Sequence, residues 1–377
     1  FRSAEIYLFI AACRQELLDY VGAYDAIVKC GEVIDSYKDI DKNFTHDFLC
    51  QYYDRRGKLA LFNAQAVDAA QSYDKAAQLA EGNKRFTLAS SALLCMHFLD
   101  LPSEDIAAAH FEYQNLVADI EPFTTYHEPN DRIKVGYLSA DFRQHAMFGV
   151  SFGIIACHDK SRFEVTCYSL NETDDVYTNI FKSNVEHFEN VRDLSYKELA
   201  EKIHADNIDI LFDLSGHSAG NVLPVLAYKP APIQFSGIGY MATTGMKAVD
   251  YFVTDKLVDP VGEHEKYFTE KLLYLPSQFC YAQNSDVSEP APAPCLKNGY
   301  VTFGTICRYS KINDDMLQIW KIIMDKVPTA KLVMRAQAFA GLTTIDQLYQ
   351  RMKNFGFNMD NVSFEPAVSN YTEKIKE

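Results

Sequence analysis

Two residues stand where their side chains could do acid–base or anion-binding chemistry. His145 follows the apolar run Ile133–Leu138 and a short polar turn. A histidine titrates near neutral pH, so it can accept a proton from a hydroxyl group. Lys311 follows the run Val301–Thr305 and stands two residues before Asn313, which is predicted to cap a helix. A lysine beside a helix N-terminus suits a negatively charged group such as a diphosphate.

A second polar group, His217 and Ser218, follows the apolar run Ile208–Leu214. Open α/β sheets bind ligands at the carboxyl ends of their strands, so an imidazole and a hydroxyl at this place could hydrogen-bond a ligand. For His217, capping the turn is the alternative role. The segment Gly216–Gly220 also fits the G-x-S-x-G elbow of serine hydrolases, but the only later histidine is His264 and no acid partner for it is evident.

A glycine pattern further along, Gly237–Ala242, fits the G-x-G-x-x-A pattern of dinucleotide-binding folds. That pattern works only if a helix opens at its end and points its N-terminus at the pyrophosphate. Here Thr243–Val249 leads into another strand within a few residues, which leaves no room for the helix. The sequence therefore disfavours a dinucleotide site, and the absence of an H-E-x-x-H or P-loop motif gives no sign of a metal or nucleoside triphosphate site of those kinds.

The sequence changes character near residue 130. Before it, alanine-rich helical patterns dominate. One helix face carries small and aromatic residues at spacings of three and four: Ala66, Ala70, Tyr73, Ala77 and Ala80. With Gly57 and Ala60 they resemble a tetratricopeptide repeat, and two other segments, Gly22–Tyr37 and Ser103–Val117, are read as degenerate copies. An unrelated helical bundle is the alternative.

From Asn130 onward, short apolar runs alternate with helical segments, which indicates a parallel sheet covered on both faces. The helix Tyr196–Ala205 begins at an S-x-x-E capping box formed by Ser195 and Glu198. The predicted strands of this block are Ile133–Leu138, Phe163–Leu170, Ile208–Leu214, Ile233–Gly237 and Tyr251–Thr254.

A proline-rich polar segment then separates a second, shorter α/β block. In that block we predict strands at Val301–Thr305, Lys331–Met334 and Val362–Phe364, and helices after Asn313 and over Ile345–Phe355. The first of these helices is predicted to carry its apolar residues on one face: Met316, Ile319, Trp320, Ile323 and Val327. Three strands are too few for a complete doubly wound domain, so we expect the chain to be truncated. The predicted domains are helical repeats over 1–126, a first lobe over 130–285, a linker over 286–298 and a partial second lobe over 299–377.

Composition narrows the function classes. The 377 residues carry 51 Asp and Glu against 36 Lys and Arg, for a net charge of -15. This acidic balance disfavours nucleic-acid binding and docking on anionic membranes. No apolar stretch approaches 18 residues, so no membrane span is predicted. The nine cysteines include no C-x-x-C pair, which favours reduced core cysteines and a cytoplasmic location.

Four segments, taken in order, carry a family resemblance: Arg132–His145, Asp213–Ser218, Lys229–Gly245 and Phe303–Lys311. Together they resemble the catalytic region of the O-linked N-acetylglucosamine transferase family, especially its bacterial members, and the plant SPINDLY-type relatives. The resemblance implies a type B glycosyltransferase with two Rossmann-like lobes after tetratricopeptide-like repeats, its active site lying between the lobes. It also implies an inverting transfer of N-acetylglucosamine from UDP to Ser or Thr of an acceptor protein held by the repeats, without a metal or other cofactor.

The resemblance also assigns catalytic roles. His145 matches the family's active-site histidine, a proposed base, and Lys311 matches its diphosphate-contacting lysine. Arg308 stands where animal members have glutamine and could add a second donor to the nucleotide. On this interpretation, His145 and Lys311 face one another across the cleft.

Sugar-side roles follow in the same way. Ser218 matches a sugar-contacting threonine, and His217 lies beside it. Gly239 matches a glycine whose missing side chain admits the acetamido sugar. Thr243 and Thr244, on the same loop, are weaker candidates.

The sequence departs from the family pattern at Met241, Cys307 and Gly149, where the family has proline, asparagine and, in animal members, a second histidine. These departures bear on the choice of sugar more than on the fold. Two alternatives therefore stay open: a SPINDLY-like O-fucosyltransferase that uses GDP-fucose, and a non-catalytic repeat scaffold with a degenerate transferase body.

Overall fold

The computed structural model describes residues 2–128, 130–279, 292–340 and 342–366. The chain forms two compact units: residues 1–88 together with 284–377, and residues 89–283. These two units are defined by which segments contact one another. They do not test the bounds of the four segments predicted from the sequence, which stay predictions. Within the described ranges, no helix combines the length and the apolar character that crossing a bilayer requires.

The elements run in chain order as follows. The helices are α1 (Arg2–Glu16), α2 (Tyr20–Asp35), α3 (Ile40–Asn43), α4 (His46–Phe62), α5 (Ala66–Leu79), α6 (Lys84–Met96), α7 (Ser103–Leu116), α8 (Ala146–Ala156), α9 (Val176–Asn184), α10 (Tyr196–Ala205), α11 (Pro224–Ala227), α12 (Cys295–Asn298), α13 (Asp314–Lys326) and α14 (Leu342–Asn354). The strands are β1 (Ile133–Ser139), β2 (Phe163–Ser169), β3 (His187–Asn190), β4 (Ile210–Asp213), β5 (Ile233–Gly237), β6 (Tyr251–Asp255), β7 (Lys271–Leu275), β8 (Thr302–Ile306), β9 (Lys331–Ala336) and β10 (Val362–Pro366).

Helix α1 packs on α2 and helix α4 on α5, as the repeat-like pattern predicts for these segments. A methyl group at Gly57 of α4 would come within 2.9 Å of the Tyr73 ring of α5, so the two helices touch through a glycine–aromatic contact. The buried stripe of α5 differs from the predicted one: Ala69 and Ala76 are fully buried, whereas Ala70 and Ala77 are only partly buried. Ala66 and Tyr73 are buried as predicted, so the buried face overlaps the predicted one and is shifted toward Ala69 and Ala76.

The second unit is built on a parallel seven-stranded sheet in the order β3-β2-β1-β4-β5-β6-β7. The predicted α/β fold with a parallel sheet is confirmed. The strand order reverses beside β1, because β1 pairs with β2 on one side and with β4 on the other. In such sheets the crevice outside the carboxyl ends of the two strands at the reversal is the usual ligand site. The loops that follow β1 and β4 carry His145 and His217–Ser218.

The part of the first unit after residue 291 forms a three-stranded parallel sheet in the order β10-β9-β8, a partial second lobe. Asn313 caps α13 as predicted, since its side chain accepts a hydrogen bond from the Met316 N–H. The predicted apolar face is wrong in part: Leu317 is the buried residue, and Ile319 is 57% exposed. Residues 280–291 of the proline-rich segment lie outside the described residues, and its end forms the short helix α12.

The sequence patterns missed several elements of the second unit. They gave no strand at β3 or β7 and no helix at α8, α9 or α11. The strand β3 has only four residues and is mostly polar, so it lacks the apolar run used to find strands. The helix α8 is apolar all round and carries two interior glycines, and neither feature gives a helical period.

Candidate active-site residues

The loop between β1 and α8 presents His145 at the crevice edge of the sheet. His145 is the N-cap of α8, and its Nδ1 accepts a hydrogen bond from the Met147 N–H at 3.3 Å. The same Nδ1 lies 3.3 Å from an Asp141 carboxylate oxygen. The imidazole is 38% exposed, so a ligand can approach it from solvent. This placement suits a residue that exchanges a proton with a bound hydroxyl group.

The loop that carries His145 is fixed at several points. Asn171 donates from Nδ2 to the Phe142 carbonyl oxygen at 2.6 Å. Asp175 accepts from the Gln144 N–H at 2.6 Å while also capping α9. These bonds come from the loop after β2, so the neighbouring strand positions the histidine.

A buried carboxyl group shapes the loop that follows β4. Asp213 is 1% exposed and accepts hydrogen bonds from the N–H groups of Ser215 and Gly216 and from the Ser236 hydroxyl. Burial outweighs these bonds and raises the pKa of Asp213 to about 6. The carboxylate thus holds the turn from inside the protein, without contacting solvent.

Ser218 is partly buried, and its hydroxyl donates to the Ser215 carbonyl oxygen at 2.6 Å. His264 does have a carboxylate partner, since its Nδ1 lies 2.9 Å from Asp259, but the hydrogen bond of the Ser218 hydroxyl goes to Ser215 and not to this histidine. The adjacent His217 has both ring nitrogens bonded to other groups. The serine-hydrolase alternative therefore gains no support from the contacts of Ser218.

His217 is an internal link rather than a surface group. It is 1% exposed, and its Nδ1 lies 2.9 Å from the Ser90 hydroxyl of α6. Its Nε2 lies 3.0 Å from the Thr244 carbonyl oxygen, to which it donates. Because both nitrogens are occupied, His217 holds the β4 loop against α6 and against the segment after β5. This geometry favours the structural role over direct contact with a ligand.

Two more histidines surround the same place and complete what we call the histidine cluster: His97, His110 and His217 with Tyr240. The Tyr240 hydroxyl lies 2.8 Å from His110 Nε2 and 3.1 Å from His97 Nε2. The rings of His110 and His217 meet edge to face at 5.2 Å. Burial lowers the pKa of His110 to about 4, and it lowers the pKa values of His97 and His217 as well. The cluster is therefore uncharged at neutral pH.

The threonines predicted for the sugar side are also internal. Thr243 and Thr244 are at most 1% exposed, and both hydroxyl groups donate to the buried carboxylate of Glu270. Thr244 adds its backbone N–H to the same carboxylate at 2.8 Å. These contacts indicate that the two threonines support the loop after β5.

Gly239 has a packing reason to lack a side chain. A methyl group there would come within 1.9 Å of the Leu214 carbonyl oxygen at the end of β4. The requirement for glycine thus arises from the close approach of two backbone segments, whether or not a sugar lies nearby.

The first unit contains the residues predicted to contact the nucleotide. Lys311 is exposed and closes a 3₁₀ turn (Tyr309–Lys311) just before the Asn313 cap of α13. Arg308 lines a cavity of about 400 Å³ at the carboxyl ends of β8 and β9, together with Cys307 and Arg335. Arg335 pairs with Glu365, which offsets part of its charge. Lys311 is not among the residues that line this cavity.

Sequence reasoning did not identify the residues that hold the predicted loops. Ser90, His97, His110 and Tyr240 come together across more than 100 positions of the chain, and Glu270 lies 26 positions after Thr244. A single histidine in a helical segment belongs to no motif, so its position in the sequence does not predict which residues it contacts. A buried polar residue on an otherwise apolar face would have been the one available hint.

Residues 109–288 match the family model described as glycosyl transferase family 41. A protein of Oryza sativa named probable UDP-N-acetylglucosamine–peptide N-acetylglucosaminyltransferase SPINDLY is 31% identical, over 79% of this chain and 33% of its own length. The Arabidopsis thaliana protein of the same name is 33% identical, over 68% of this chain and 30% of its own length. The chain thus spans about a third of the curated relatives it matches.

Among solved structures, an O-GlcNAc transferase mutant of Thermobaculum terrenum matches with a TM-score of 0.79 and 23% identity. The match covers 99% of this chain and 76% of that one. At this identity the likeness establishes the fold, and it agrees with the helical series, the seven-stranded sheet and the partial second lobe described above.

Proposed function

Since the chain belongs to a family related to the O-linked N-acetylglucosamine transferases, we propose that it acts as a protein O-glycosyltransferase. The proposed reaction moves N-acetylglucosamine from UDP-GlcNAc to Ser or Thr hydroxyl groups of a polypeptide. The observation that carries the proposal is the placement of an exposed His145 on a pinned loop where the strand order of the sheet reverses.

His145 acts as the base of this reaction. In an inverting transfer the acceptor hydroxyl attacks the anomeric carbon from the face opposite the leaving group, and the nucleotide diphosphate departs with the bonding electron pair. The hydroxyl becomes more acidic as the new bond forms, and a nearby imidazole can take its proton. The exposure of His145 allows an acceptor side chain to reach the ring.

Lys311 and Arg308 act on the leaving group. Departure of the nucleotide places negative charge on the diphosphate, and fixed positive charge lowers the cost of that step. Lys311 stands at the N-terminal end of α13, where the helix dipole adds partial positive charge. Arg308 lines the cavity at the carboxyl ends of β8 and β9, which suits a nucleotide.

The residues that the sequence analysis assigned to the sugar are proposed to have different roles. Ser218 is partly buried and remains the candidate for contact with the sugar. His217, Thr243 and Thr244 hold the loops from inside through Ser90 and Glu270. Gly239 keeps its loop against the end of β4.

The helical series would hold the acceptor protein. A groove of about 590 Å³ lies between α1 and α4 and combines the apolar side chains of Leu8 and Phe9 with the amide of Gln51 and the charges of Asp54 and Arg55. An extended polypeptide needs hydrogen-bonding groups for its backbone and apolar contacts for its side chains, and this groove offers both.

Separate incubations with UDP-GlcNAc and with GDP-fucose test the proposal, with acceptor protein present and glycosylation read by mass spectrometry. We expect a mass increase with UDP-GlcNAc, and a large loss of it in Lys311→Ala. Modification with GDP-fucose alone would show that the sugar assignment is wrong. Calorimetry with UDP addresses the scaffold alternative, since a protein that binds no UDP at millimolar concentration has no donor site.

A further inference from the structure

We propose that Asp141 is a positioning residue that fixes the tautomer of His145, so that Nε2 is the nitrogen that accepts the acceptor's proton. This inference rests on the proposed role of His145 as a base and adds the residue through which that role is set. Its basis is the geometry of the β1–α8 loop.

Two polar contacts of His145 Nδ1 require opposite tautomers of the neutral ring. If Nδ1 accepts from the Met147 N–H, the proton of the neutral ring sits on Nε2, and Nε2 can only donate. If Nδ1 instead carries the proton beside the Asp141 carboxylate, Nε2 carries the lone pair and can act as a base. Both contacts measure 3.3 Å, but only the Met147 contact has hydrogen-bond geometry, whereas the Asp141 carboxylate lies beside Nδ1 as an ion-pair partner.

The negative charge of Asp141 favours one of the two tautomers. An ionised carboxylate 3.3 Å from Nδ1 stabilises a proton on that nitrogen by electrostatic attraction, and the neutral Met147 N–H exerts a weaker effect. The Asp141 side chain is only 14% exposed, so water screens this charge less than it would at the surface. The alternative partner is a first-turn helix N–H, which solvent can satisfy when the histidine does not. The Nδ1–H tautomer is therefore favoured.

The surroundings keep Asp141 in place. Its backbone N–H donates to the Ser139 hydroxyl at 3.0 Å, at the end of β1. The Arg143 guanidinium lies 3.4 Å from the other carboxylate oxygen, and Asp175 holds the Gln144 N–H. These are the charged groups of the loop and of the adjoining α9 cap, and α8 itself contributes none. Asp141 and Arg143 thus form a small charged network behind the imidazole.

Nitrogen NMR of the ¹⁵N-histidine-labelled protein tests the proposal without any substrate. The His145 signals are assigned by their loss in His145→Gln. We expect a protonated Nδ1 and an unprotonated Nε2 in the neutral ring. In Asp141→Asn we expect a shift toward the Nε2–H tautomer, because the negative charge beside Nδ1 is gone. An Nε2–H tautomer in the unaltered protein would overturn the proposal.

Kinetics provides the second readout. We expect Asp141→Asn to lower kcat by about tenfold or more with little change in KM, and Asp141→Glu to restore part of it. The matched control is Asp174→Asn, which removes the same charge from an exposed carboxylate that pairs with Lys182. Equal kcat in Asp141→Asn and the control would contradict the proposal. If no donor supports transfer while the tautomer is as expected, the proposed function fails and the positioning of His145 stands.

Discussion

The loops after two neighbouring strands, β1 and β4, each carry a histidine, and the two side chains have opposite environments. His145 after β1 is 38% exposed, whereas His217 after β4 is 1% exposed with both nitrogens bonded. One ring can meet a ligand and the other holds two loops to a helix. A histidine at the carboxyl end of a strand is thus a candidate for chemistry only when a nitrogen remains accessible.

The partners of the two histidines differ as well. Behind His145 stands a carboxylate, which stabilises a positive charge on the ring. Around His217 stand Ser90, His110 and Tyr240, which are neutral at pH 7 and offer no such compensation. We therefore expect His145 substitutions to change activity and substitutions in the histidine cluster to change stability.

The largest expected effect is on activity. His145→Phe should lower the transfer rate by about 10²- to 10⁴-fold, the usual contribution of a general base, with little change in thermal stability because the side chain is exposed. Initial rates and thermal melts measure the two quantities. His187→Phe is the control, since His187 is another exposed histidine with a carboxylate partner, Glu164. Equal transfer rates in the two variants would contradict the role of His145 as the base.

Replacing His217 should act mainly on stability. His217→Leu leaves the buried Ser90 hydroxyl and the Thr244 carbonyl oxygen without their partner, at about 1–3 kcal/mol for each group. We expect a loss of about 2–6 kcal/mol in the free energy of unfolding, measured by urea denaturation. Adding Ser90→Ala should cost less than the sum of the two single changes, because the two residues share a hydrogen bond. Strict additivity would mean that this bond contributes nothing.

The histidine cluster should also make stability sensitive to acid. The pKa of His110 is lowered to about 4 in the folded protein from an ordinary value of 6.5. The unfolded chain therefore takes up a proton as pH falls below 6.5 while the folded protein does not. His110 should lower stability progressively between pH 6.5 and 4, by about 3 kcal/mol in all. Urea denaturation from pH 7 to 4.5 should show a shallower acid loss in His110→Gln, and an unchanged loss would contradict this.

Asp213 should have the opposite effect on stability as the pH falls. Burial raises its folded-state pKa from 3.8 to about 6, so the folded protein takes up a proton first as pH falls. The group adds stability between pH 6 and 3.8, by about 3 kcal/mol at most. In Asp213→Asn this gain is absent, and the same urea series should show a steeper acid loss than the unaltered protein. A shallower loss would mean that Asp213 is ionised throughout this range.

Much of the fold could be predicted because apolar runs and caps are local signals. Helix α10 was predicted to the residue, and the strands β1, β5 and β6 to within one residue at their ends. Helix α13 was found through its Asn313 cap. Its apolar face was misjudged because periodicity shows which residues share a face but not which face is covered.

The candidate site could be predicted only in part. The position of His145 after a strand is a local property, and the structure places it at the crevice edge. The burial of His217, Thr243 and Thr244 depends on Ser90 and Glu270, which lie far away in sequence, so a motif cannot report it. A residue can therefore match a binding motif and still serve to hold the loop that carries the motif.

The most direct test of the account is transfer of labelled N-acetylglucosamine from UDP-GlcNAc to an acceptor protein, compared between the unaltered protein, His145→Phe and His217→Leu at a temperature where all three are folded. The account predicts transfer by the unaltered protein, a loss of about 10²-fold or more in His145→Phe and a much smaller loss in His217→Leu. Transfer that survives in His145→Phe and disappears in folded His217→Leu would contradict it.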